Sequence, residues 1–243
     1  MNSYLPVSYA EAVTRDEVRA RISELGVIPA IRVTSAADAL FAAESVSRGG
    51  IPIVEVTMTV PGALEVVAEL LRTQPALMVG AGTVLDVETA ERCVDAGVHF
   101  LTSPGLHLPL MEVAKKSDTA VLPGALTPTE IWAAWCAGAD FVKVFPCAPV
   151  GGPSYIKSMR GPFPGVNLLA AGGVNQQTAG DYIVAGAAAL GIGGDLIPRA
   201  AIQDRNREWI HELAHRFLGI VKTARAKRAS REPQAALALT VRL

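Results

Sequence analysis

The chain has 243 residues, of which 50% are hydrophobic, and carries 22 Lys plus Arg against 23 Asp plus Glu. That balance excludes a largely disordered chain. It also leaves no net positive field to hold nucleic acid or an anionic membrane, so the expected partner is a small molecule. Cys93, Cys136 and Cys147 are odd in number and form no C-x-x-C pair. They indicate neither a disulfide framework nor a zinc knuckle, and they fit a reduced cytoplasm.

Met1 to Val13 lacks both a basic patch and a continuous apolar core, and no later apolar run reaches about 18 residues without a charge, Gly or Pro. No export signal or membrane span is expected. Thr14–Leu25 reads as a helix that caps the barrel described next. Beyond it, short β-rich runs fall at Val27–Arg32, Ile53–Thr57, Leu77–Ala81, His99–Thr102, Ala120–Leu122, Phe141–Phe145, Asn167–Ala170 and Ala189–Ile192. Amphipathic stretches alternate with them, including Ala36–Arg48, Gly62–Thr73, Val87–Ala96, Pro109–Lys116, Pro128–Ala137 and Gln176–Ala185. Gly97, Gly138 and Gly186 each follow an alanine where a helix should close in the left-handed conformation.

Strands recurring every 20 to 25 residues or so are the signature of consecutive βα units, and eight right-handed crossovers curl them into a closed parallel barrel. The fold class is α/β, a (β/α)8 TIM barrel. An open doubly wound sheet is the alternative, but no G-x-G-x-x-G follows the first strand. Asp204–Lys227 is expected as a long helix after strand eight. Residues 1–228 then form a single barrel domain, and residues 229–243 a tail whose Gln234–Leu239 stretch either packs on a neighbouring subunit or stays loose.

In such a barrel, chemistry belongs at the C-terminal ends of the strands. A period of two along 141–145 sets Phe141, Lys143 and Phe145 on one face and Val142 and Val144 on the other. With the valines outward under the helices, Lys143 points into the barrel. The same logic sends Glu55 inward between Val54 and Val56. A plain buried ion pair is one reading. The other is chemical: low dielectric disfavours a charged amine, and a neutral amine attacks carbonyls. Imine formation makes a ketone an electron sink, with Glu55 placed to move protons at the neighbouring carbon.

Gly172–Gly173 and Gly193–Gly194 follow strands seven and eight, where barrels bind phosphate, although tight turns also explain them. Arg32 ends strand one and either meets an anionic substrate group or sits in a surface loop. Thr83 lines the site from strand three or caps a helix. His211-Glu-Leu-Ala-His215 matches H-E-x-x-H. It lies on a helix whose stripe of Ile210, Leu213, Ala214, Phe217 and Val221 reads as a packing face, so the histidines are expected as flanking surface residues and no metal is expected. His99 opens strand four, and His107 either borders the pocket mouth or, the preferred reading, is a plain loop histidine.

The segments GVIPAIRV, IVEVTMT, VGAGTVLD, FLTSPGL, PGALTPTE, DFVKVFPC, GPFPGVN, AAGGVN and IGGDLI occur in that order between Gly26 and Pro198. In these the chain resembles the bacterial 2-keto-3-deoxy-6-phosphogluconate (KDPG) aldolase family, class I pyruvate aldolases on a TIM barrel. The resemblance implies Lys143 as the Schiff-base lysine, Glu55 as general acid/base, Thr83 and Pro104 lining the pyruvate site, and Phe145 walling the pocket. It further implies phosphate binding by Gly172, Gly173, Gly193 and Gly194, no cofactor, and a homotrimer.

Three positions depart from the family pattern. Thr59, expected to bind substrate by a hydrogen bond, stands where an arginine often grips the substrate carboxylate, and its hydroxyl makes no bidentate charged clamp. Ala171 replaces a threonine, and Asp195 replaces a serine. A carboxylate at Asp195 is expected to take the N–H groups of the following helix as a cap, or to repel an anion there, and so to weaken preference for a phosphorylated substrate. Two other functions share parts of this pattern. A phosphate-binding barrel isomerase or synthase needs the glycine loops but no imine-forming lysine. A non-catalytic ligand-binding barrel keeps the pocket without turnover.

Overall fold

The computed structural model describes residues 13–240, with side chains described to residue 230. The segment from Met1 to Glu11 and Ala12 therefore lies outside the described residues, as does every side chain of Gln234–Leu239. Helix α1 (Arg15–Leu25) opens on Thr14, whose hydroxyl accepts from Glu17 N while the Glu17 carboxylate accepts from Thr14 N. Its Val18 and Ile22 are buried. Arg15 reaches the buried Asp140 carboxylate at 2.8 Å, and the same carboxylate accepts from Val121 N at 2.7 Å. This pins α1 across the N-terminal end of the strands, as the sequence implied.

The alternation continues with β1 (Val27–Ile31), α2 (Ala36–Arg48), β2 (Ile53–Thr57), α3 (Ala63–Thr73), β3 (Met78–Gly82), α4 (Val87–Asp95) and β4 (Phe100–Thr102). Then follow α5 (Leu108–Lys116), β5 (Ala120–Leu122), β6 (Gly124–Ala125), α6 (Pro128–Cys136), β7 (Val142–Val144) and α7 (Pro153–Arg160). Last come β8 (Leu168–Ala171), α8 (Ala179–Ala185), β9 (Ala189–Ile192), α9 (Arg199–Gln203) and α10 (Arg207–Thr240). The three alanine-glycine helix ends close as expected, with φ of 87°, 95° and 112° at Gly97, Gly138 and Gly186.

Every strand pair is parallel, in the order β5-β4-β3-β2-β1-β9-β8-β7-β6. The two ends of that order are consecutive in the chain, separated only by Pro123, which has no N–H to give a ladder. β5 pairs with β4 and β6 pairs with β7. The run before and within β7 bonds to both halves, from Asp140 N to Val121 O and from Lys143 N to Pro123 O. Nine segments therefore close as a ring of eight, a TIM barrel.

Two of the expected helices differ from the sequence reading by more than a residue. α8 starts at Ala179 instead of Gln176, because Asn175 Oδ1 accepts from Gln177 N and Thr178 N and holds a turn there. The long helix starts at Arg207 instead of Asp204. Arg205 adopts a left-handed φ of 51°, and Asn206 Oδ1 accepts from Trp209 N to begin a new helix. Its helical backbone runs through Thr240, past Lys227. No helix among the described residues is long and apolar enough to cross a membrane.

Candidate active site

Lys143 enters the barrel from β7 and Glu55 from β2, as the period-two reading required. Their atoms Nζ and Oε2 stand 3.4 Å apart, and the side chains are 12% and 5% exposed. A charge-assisted hydrogen bond closes to about 2.7–2.9 Å. The pair is thus held close without being locked, and it opens on a pocket of about 420 Å³.

Gly82, the last residue of β3, makes room for the carboxylate: a Cβ there would lie 2.0 Å from Glu55 Oε1. The Phe145 ring stands 5.8 Å from Lys143 Nζ. At the far side of the barrel end, Gly172 (φ 83°) passes within 3.0 Å of Phe145 and Pro146 measured from the Cβ it lacks, so only glycine fits.

The pocket brings together Lys143, Glu55, Phe145, Arg32, Gly172, Gly173, Gly193, Gly194 and Asp195. Arg32 is exposed at its rim, and no hydrogen bond or ion pair to it occurs among the described residues. Thr59, Thr83 and Pro104 do not line this pocket. The Thr59 hydroxyl bonds to Thr57 Oγ1 at 2.8 Å, and Thr57 in turn donates to Ile31 O at 3.0 Å. Thr83 has φ 57°, a conformation unusual for a β-branched residue, and the cap of α4 is Asp86, which accepts from Thr89 N. The Pro104 carbonyl is turned towards Gly124, where a Cβ would meet it at 2.1 Å.

The Asp195 reading needs correction. The chain makes a turn after β9, closed by Leu196 N and Ile197 N on Gly193 O, and α9 begins only at Arg199 with Pro198 as its cap. Asp195 lies too early to cap that helix and accepts no hydrogen bond among the described residues, and its exposed carboxylate lines the pocket that Arg32 also lines.

Sequence reasoning missed Thr102, on β4, whose Oγ1 lies 3.4 Å from Lys143 Nζ. A threonine at a strand end looks like any β-former. Gly82 was missed as well, although a glycine inside a strand signals a close approach. The H-E-x-x-H stripe is buried as expected, from Ile210 to Val221. His211 Nδ1 lies 3.7 Å from Glu208, while Glu212 pairs with Arg216. His107 is the residue before α5, and burial pushes the pKa of His99 down.

A parallel barrel that holds a lysine amine and a carboxylate together at its C-terminal mouth has the groups that an imine-forming aldehyde-lyase requires. A family profile described as KDPG and KHG aldolase matches residues 18–213. The 2-dehydro-3-deoxy-phosphogluconate aldolase of Pseudomonas aeruginosa is 33% identical over 186 residues, 76% of this chain and 84% of that protein. The KHG/KDPG aldolase of Escherichia coli K12 is 31% identical over 77% of this chain and 88% of that protein. The crystal structure of KDPG aldolase from Legionella pneumophila, with pyruvate captured as a covalent carbinolamine intermediate, superposes with a TM-score of 0.76. Identity there is 33%, covering 81% of this chain and 96% of that one. The chain belongs to the KDPG and KHG aldolase family. It is a class I aldolase acting on KDPG-like substrates.

Proposed function

We propose that the chain reversibly cleaves a 2-keto-3-deoxy acid to pyruvate and an aldehyde, with Lys143 as the imine-forming lysine and Glu55 as the general acid/base. The observation that carries this reading is the loose 3.4 Å approach of Nζ and Oε2 at the pocket floor. The neutral amine adds to the C2 carbonyl, one proton is taken up and one water leaves, and the iminium becomes the electron sink. Glu55 takes the C4 hydroxyl proton as the C3–C4 bond breaks into the iminium, giving an enamine and the aldehyde. It returns that proton to C3, and water releases pyruvate.

Arg32 meets an anionic group of the substrate, a role supported by its exposure at the rim without an ion-pair partner among the described residues. Phe145 walls the pocket, and the two glycine pairs offer backbone N–H groups to the distal end of the substrate. Thr83 and Pro104 act from outside the lining, by shaping the loops that carry the pyruvate site, and Thr59 leaves the carboxylate clamp to others. We read residues 1–228 as one domain with 229–243 appended, working in the cytoplasm as a homotrimer without metal or cofactor. The test is pyruvate release from phosphorylated and unphosphorylated 2-keto-3-deoxy acids with EDTA present. Release is expected for at least one substrate. A protein that binds pyruvate but cleaves none of them would be a ligand-binding barrel instead.

A further inference from the structure

Thr102 is 1% exposed, and Lys143 Nζ at 3.4 Å is its hydroxyl's hydrogen-bond partner among the described residues. The residue shares its face of β4 with Phe100, whose ring fills the space beside Gly80, where a Cβ would meet it at 2.2 Å. Period two therefore aims Thr102 into the barrel one layer nearer the pocket. Glu55 Oε2 stands at the same 3.4 Å from the amine. Nζ thus has two oxygen neighbours, one a carboxylate and one a hydroxyl, delivered by different strands.

The chemistry divides their labour. A neutral amine carries two N–H bonds. When it condenses with a ketone, one of those hydrogens and one proton from outside leave with the carbonyl oxygen as water, and a single N–H remains on the iminium. That N–H sits in low dielectric and needs an acceptor. If Glu55 accepted it, a charge-assisted bond would hold the carboxylate on nitrogen and away from the C4 hydroxyl and C3, where protons must move. A threonine hydroxyl accepts as well as donates, and it carries no charge to trap.

We propose that Thr102 is a positioning residue that accepts the iminium N–H of Lys143 and leaves Glu55 free for proton transfer. The inference rests on Lys143 being the imine-forming lysine, and its test separates the two ideas. Wild type, Thr102→Val and Thr102→Ser are compared in three measurements: borohydride trapping of pyruvate, exchange of the pyruvate methyl hydrogens with D₂O, and thermal unfolding.

Thr102→Val keeps the shape and removes the hydroxyl. It is expected to trap pyruvate to the wild-type extent while methyl exchange and kcat fall about tenfold, the loss of roughly one hydrogen bond. Thr102→Ser is expected to recover most of the exchange. A merely structural role would lower trapping and exchange together, and that result, or wild-type exchange in Thr102→Val, would overturn the proposal. Should Thr102→Val not fold, Thr102→Ala is read by the same ratio of exchange to trapping. Absence of an adduct in the wild type would instead remove the Schiff-base reading itself.

Discussion

Lys143 Nζ lies 3.4 Å from Glu55 Oε2 across the barrel interior, a contact between residues 88 positions apart in the chain. Removing the carboxylate while keeping its size isolates proton transfer from imine formation. Glu55→Gln is expected to slow cleavage roughly 10²–10⁴-fold yet still form a borohydride-trappable adduct with pyruvate. Loss of trapping and cleavage in equal measure would mean that Glu55 serves the amine rather than the carbon.

Gly82→Ala tests how the carboxylate is held. Its new methyl would fall 2.0 Å from Glu55 Oε1, so either the strand or the carboxylate must move. A cost of about 1–3 kcal/mol in urea unfolding is expected from overpacking. Displacing the acid/base by a fraction of an ångström to an ångström should cost kcat on the order of 10²-fold. Wild-type kcat in a folded Gly82→Ala protein would show that the position of Glu55 is not critical.

Asp195 lines the pocket beside Gly193 and Gly194. Among the described residues its exposed carboxylate takes no backbone N–H, so a carboxylate faces an incoming phosphate dianion at the pocket mouth. Asp195→Ser is expected to raise kcat/KM for a 6-phosphorylated 2-keto-3-deoxy acid about tenfold, as relief of roughly 1.4 kcal/mol would give, with little change for the unphosphorylated acid. Steady-state kinetics on the two acids decide it. An unchanged ratio between them would clear Asp195 of any part in specificity.

The cysteines give a pH signature. Burial pushes the thiols of Cys93 and Cys147 up to about 11, whereas Cys136 is exposed. At pH 8 a disulfide reagent should titrate Cys136 quickly in the native protein and all three only in denaturant. A folded-state thiol pKa above the unfolded one means that the folded state binds more protons between about 9 and about 11, so stability falls as pH rises through that window. Urea midpoints that stay flat from pH 9 to 11 would contradict the burial.

What could be read from the sequence followed from periodicity. The alternation of valines around Lys143 and Glu55 fixed which way each side chain faces, and the repeat of βα units fixed the closed ring. Local punctuation was harder. Strand five continues beyond Pro123 as β6, although proline argues for a stop, because β7 bonds to carbonyls on both sides of it. Helix α7 begins at Pro153 after two glycines, and its eight residues show too little periodicity to stand out. Asp195 looked like a cap because aspartate so often is one. Whether it caps depends on where the helix starts, and a turn of backbone hydrogen bonds sets that four residues later. Thr102 carried no signal at all, since its contact with Lys143 comes from another strand.

The most direct measurement is borohydride reduction in the presence of pyruvate followed by peptide mapping. Only an imine is fixed in this way, and Lys143 is the lysine whose amine opens into the pocket beside Glu55. The account predicts inactivation with a single reduced pyruvyl adduct on Lys143, and no adduct or turnover in Lys143→Ala. An adduct on Lys157, or full activity in Lys143→Ala, would contradict it.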